Sequence, residues 1–66
     1  MTFLITTYVN GDSTNTREFR VTFSFYPSKE QVLTKALVNL AEDEQLGFIQ
    51  CQGLKIWEGG EWLTNH

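Results

Sequence analysis

The sequence predicts an α+β fold: one helix packed on one face of a three- or four-stranded, mainly antiparallel sheet, in the order ββαβ(β). Three observations predict it. From Arg17 to Tyr26 apolar and polar residues alternate almost without a break, the mark of a strand buried on one side only. Pro27 and Ser28, with Gln31 three residues on, announce a capped helix. Gly59-Gly60, set between segments of strand character, marks a two-residue hairpin. At 66 residues the chain is read as a single domain spanning 1–66.

The elements follow in order. Residues 2–9 are β-branched and aromatic and predict the first strand. The polar stretch 10–16 predicts a loose hairpin tip. In the second strand Phe19, Val21, Phe23 and Phe25 take the inner face, and Glu18, Arg20, Thr22, Ser24 and Tyr26 the outer. The helix places Leu33, Ala36, Leu37, Leu40 and Ala41 on one stripe. Its acidic end, Glu42-Asp43-Glu44, opposes the helix dipole and predicts fraying as a solvated tail, with Gly47 closing the turn.

After Gly47 the apolar phase moves from Ile49 and Cys51 to Leu54 and Ile56, so Gly53 marks a bulge or a turn dividing two strands. A Gly59-Gly60 turn sets Glu58 against Glu61, Trp57 against Trp62 and Ile56 against Leu63. Trp57 and Trp62 then form a non-hydrogen-bonded pair, where side chains approach most closely. This register sends Ile56 and Leu63 toward the core and both tryptophans to the opposite face.

Charge and composition exclude several classes. Five Lys and Arg against eight Asp and Glu give a net charge of −3, the wrong sign for generic duplex binding. One Cys and one His supply neither a disulfide framework nor a metal cluster, so no cofactor is expected. Residues 1–9 have neither the basic start nor the long apolar run of a targeting segment, and no stretch approaches membrane-spanning length. The chain therefore reads as cytoplasmic. His66 ends the sequence, where it makes a poor base, and Cys51 reads as a small core residue. The carboxylates at 42–44, 58 and 61 read as solvated, and Gly59-Gly60 lacks the following helix and Lys of a phosphate loop. Nothing here points to an enzyme.

The open face of the sheet carries the functional reading. It is expected to present Thr6, Tyr8, Arg20, Thr22, Ser24, Tyr26, Lys55, Trp57 and Trp62. Such a face can pack on itself or on a twofold mate as a homodimer, bind a protein partner, or stack single-stranded bases. The acidic balance ranks protein ahead of nucleic acid. The expected contact residues are Tyr8, Arg20, Trp57 and Trp62, with Glu58 and Glu61 as an electrostatic rim.

The run from Phe19 through Leu37, followed by Gly47-Phe48 and a strand, resembles the ββαβ layout of compact inhibitors that bacteriophages encode against host machinery, among them inhibitors of bacterial RNA polymerase and some anti-CRISPR proteins. The resemblance covers roughly residues 3–57 and is one of layout; no functional residue carries over from it. It implies a stoichiometric, non-enzymatic inhibitor that occupies a surface of a host protein or nucleoprotein complex. The layout also resembles β-grasp domains, ββαββ, in which the first and last strands are parallel neighbours.

Overall fold

A computed structural model describes residues 1–63. Strands β1 (Thr2–Val9) and β2 (Asp12–Thr22) form a hairpin, helix α1 (Lys29–Val38) follows, and strands β3 (Glu44–Cys51), β4 (Leu54–Glu58) and β5 (Glu61–Trp62) come after it. All five strands join one sheet in the order β2-β1-β3-β4-β5, every neighbouring pair antiparallel. The sheet is thus larger than the three or four strands expected. Because β2 and β3 both run against β1, they are parallel to each other, and α1 is the crossover between them. Among the described residues no neighbouring strands are parallel, and β3 and β4 lie between β1 and β5, so the β-grasp alternative is not the fold.

Turn chemistry sets the hairpins. Asn10 (φ 54°) and Gly11 (φ 71°) turn β1 tightly into β2, where a loose tip was expected. Both residues take the positive φ that a twist-matched two-residue turn requires, and Asn tolerates it better than most side chains. The looseness appears one step later: Tyr8 pairs with Thr16 but Val9 with Asp12, so residues 13–15 bulge out. The Asp12 carboxylate accepts from the Thr14 amide (2.9 Å) and hydroxyl (2.7 Å) and pins that bulge. Gln52-Gly53 makes a second such turn, dividing β3 from β4.

The helix begins as expected. Ser28 Oγ accepts from the Gln31 amide (3.2 Å) while Gln31 Oε1 accepts from the Ser28 amide (2.8 Å), a complete capping box. Its buried face differs from the expected stripe: Val32 and Ala36 enter the core and Leu33 packs at its margin, whereas Leu37 and Val38 are exposed. The helix stops at Asn39, well before Gly47, which instead lies inside β3. The core gathers Phe3, Ile5, Val21, Val32, Ala36, Ile49 and Trp57 between helix and sheet. Phe23 packs edge-on against Phe3, and Phe25, expected inside, stands exposed beyond the end of β2.

Candidate functional site

The two tryptophans are not on the open face. Gln50 pairs with Lys55, but Ile49 pairs with Trp57, which leaves Ile56 as an extra residue in β4. One inserted residue reverses the side-chain phase beyond it. Trp57 therefore lands opposite Ile49 on the helix side and is only 7% exposed. Trp62, directly opposite Trp57 as the Gly59-Gly60 turn predicts, shares that face, with Lys29 Nζ 5.6 Å from its ring centre. Leu63, expected in the core, is exposed, while Ile56 packs at the core margin.

What the open face presents is a different set. Leu4 and Tyr8 from β1, Glu18 and Arg20 from β2, Phe48 and Gln50 from β3, and Lys55 and Glu58 from β4 share it. Tyr8 and Arg20 stand where the sequence places them. The Tyr8 ring lies over Gly47, whose missing side chain makes room for it: a Cβ there would sit 2.9 Å from Tyr8 Cζ and 3.0 Å from the Thr6 carbonyl. Lys55 Nζ lies 4.5 Å from the Phe48 ring centre and donates to Glu58 (3.0 Å). Glu58 and Glu61 face each other across the hairpin end, as expected. Much of this face is occupied by its own contacts, and Thr6, at its centre, is buried.

The helix side holds a groove of about 280 Å³ between the start of α1 and the β4–β5 hairpin. Phe3, Val32, Cys51, Ile56 and Trp62 line it, together with Met1, Tyr26, Pro27, Ser28 and Lys29. Tyr26, expected on the open face, is 81% exposed here, because the strand has already ended at Thr22. Leu54, opposite Cys51, adds another exposed apolar side chain to this end. Of the six expected contact residues, Trp62 alone lines this groove. Cys51 is half-buried among apolar neighbours, in keeping with the core role expected of it.

A polar cluster missed by the sequence reading closes the other end of the fold. Glu44, expected in a solvated tail, is buried. The Arg17 guanidinium donates to both its oxygens, through Nε to Oε2 and Nη2 to Oε1 (2.6 Å). Thr7 Oγ1 donates to Oε2 (2.9 Å) and the Ala41 amide to Oε1 (2.8 Å). The Arg17 hydrogen bonds foremost, then that of Ala41, hold the Glu44 carboxyl far below the ordinary range, at about 2. With both oxygens engaged, this carboxylate ties the helix–β3 loop to β1 and β2. No local signal marks it, since Arg17 and Glu44 meet only through the sheet.

Among the described residues no group of three or more His, Cys, Asp or Glu converges to hold a metal, and no helix is long and apolar enough to cross a membrane. His66 lies outside the described residues. No family model, no curated protein and no solved structure matches the chain.

Proposed function

We propose that this chain is a small non-enzymatic protein-binding module, and that its contact site is the groove at the start of α1. The observation that carries the reading is the apolar surface gathered there. Met1 (41% exposed) and Tyr26 line the recess together with Ile56 and Trp62, and Leu54, opposite Cys51, is exposed at the same end of the sheet. The occupant is an apolar anchor side chain of a partner protein, with basic residues beside it. The net charge of −3 favours a partner of basic character. Aromatic residues around a small recess are the usual anchor sites of protein interfaces. The mode is surface occupancy in the cytoplasm, as in the phage-encoded inhibitors of host proteins and nucleoprotein complexes that the layout resembles.

The test is capture from cell extract by immobilised wild type and by two variants whose folding is checked by circular dichroism. A specific protein retained by wild type and by Tyr8→Ala/Arg20→Ala, but lost with Tyr26→Ala/Ile56→Ser, supports the groove. Equal retention by all three chains overturns it. Salt-sensitive oligonucleotide binding that disappears with Tyr8→Ala/Arg20→Ala, without any groove-dependent protein, replaces it with the nucleic-acid reading.

A further inference from the structure

Strand β2 forms one edge of the sheet, and its backbone phase shows which groups are left unpaired. Met1 and Phe23 exchange both backbone bonds, Phe23 N–H to Met1 O and the Met1 amine to Phe23 O, each at 2.8 Å. Counting back along the antiparallel ladder, Val21, Phe19 and Arg17 turn their N–H and C=O toward β1. The Arg17 carbonyl, 3.2 Å from Thr7 Oγ1 on β1, points the way that phase requires. Thr16, Glu18, Arg20 and Thr22 therefore direct theirs out of the sheet. All four are exposed, and the bulge at 13–15 lies just outside them.

We propose that this edge is the dimerisation surface of the protein, with β2 of a second copy pairing antiparallel to it about a twofold axis at Phe19. The sequence around that axis is nearly palindromic: Thr16, Glu18, Phe19, Arg20, Thr22. With Phe19 opposite Phe19 of the second copy, Glu18 falls opposite Arg20 and Arg20 opposite Glu18, and Thr16 meets Thr22 at either end. Outward-facing residues then pair only with outward-facing residues, giving about eight backbone hydrogen bonds across the seam. Neither Glu18 nor Arg20 has an ion pair within its own chain among the described residues. Charge selects the register. Sliding by two residues one way sets Glu18 against Glu18, and the other way Arg20 against Arg20, each unfavourable for directly opposed side chains. The same axis leaves both helices on one face. It turns toward the seam the groove between Phe23 and the Thr34, Lys35 and Val38 side of α1, where Val38 is 70% exposed.

Sedimentation of the full chain from micromolar to millimolar concentration reads the dimer directly, and charge exchange tests the register. Glu18→Arg alone and Arg20→Glu alone each oppose like charges twice and are expected to weaken association about tenfold or more. An equimolar mixture of these two variants restores both opposite-charge pairs, and native mass spectrometry should show a one-to-one heterodimer. Both substitutions fall on exposed side chains, and unchanged circular dichroism confirms that each variant folds. A wild type monomeric at millimolar concentration overturns the proposal. So does a dimer that either single variant leaves intact, or a mixture that stays monomeric.

Discussion

Replacing Trp57 by Ala distinguishes a core tryptophan from a surface one. Trp57 is 7% exposed and belongs to the cluster that joins Ile49 of β3 to Val32 and Ala36 of α1. Truncating a buried aromatic of this kind costs about 3–5 kcal/mol, from lost transfer energy and the cavity left behind. A chain of 66 residues has a total stability of only about 3–10 kcal/mol. Trp57→Ala therefore removes roughly a third or more of that stability, and at the low end of the range it leaves the chain largely unfolded in buffer. Trp62 is half-buried and loses less, about 1–2 kcal/mol on Trp62→Ala. Urea titration followed by far-ultraviolet circular dichroism measures both without relying on the indole that is removed. With a denaturant slope near ~1 kcal/mol per molar for so small a chain, the Trp57 loss moves the midpoint by about 3 M or more. A Trp57→Ala loss below about 1 kcal/mol, with Trp62→Ala equal or worse, would refute the reasoning. That result belongs to a bulge-free β4 in which Ile56, not Trp57, opposes Ile49.

Other expectations concern the polar cluster and the close approach over β3. Its hydrogen bonds from Arg17 and Ala41 hold the Glu44 carboxyl down at about 2 in the fold, against an ordinary value of 4.5. The unfolded chain therefore binds its proton more readily, so this contribution to stability is fully present above about pH 4.5 and lost as pH falls through about 2. Urea midpoints between pH 7 and 2 should fall steeply for wild type and less so for Glu44→Gln, which starts from a lower stability. Asp12, held down by its hydrogen bonds from Thr14, contributes in the same direction, and Asp12→Asn isolates its share. Gly47→Ala forces a Cβ against the Tyr8 ring and the Thr6 carbonyl and should cost about 1–3 kcal/mol in the same titration. Adding Tyr8→Ala relieves only the ring contact, so the double variant should recover part of the loss and not all of it.

Much of the fold was legible because local chemistry writes it. The alternation around Phe19 and Val21, the Ser28–Gln31 capping box, and the Gly59-Gly60 turn with its Trp57–Trp62 pairing each depend on residues a few positions apart. The candidate site was harder to read. Tyr8 and Arg20 kept their expected face because β1 and the middle of β2 run without a break in phase. Trp57 did not, because a single extra residue at Ile56 reverses every assignment beyond it. Tyr26 left the sheet because β2 ends at Thr22, four residues before the alternation does. Exposure of Phe25 shows the same thing: an apolar period can outlast the strand that it suggests.

By itself, then, the sequence determined that the helix lies between the second and third strands, that Gly59-Gly60 turns the last hairpin and how that hairpin pairs, all set by backbone preferences over short distances. The tertiary structure decided which face each tryptophan occupies, because a bulge is settled by how β4 packs against β3 and the helix. It also decided that Glu44 is a buried anchor and not a solvated acid. Its partners Thr7, Arg17 and Ala41 are brought around it only when β1, β2 and the loop after α1 assemble, and a carboxylate can be held in its charged form there only with those donors in place.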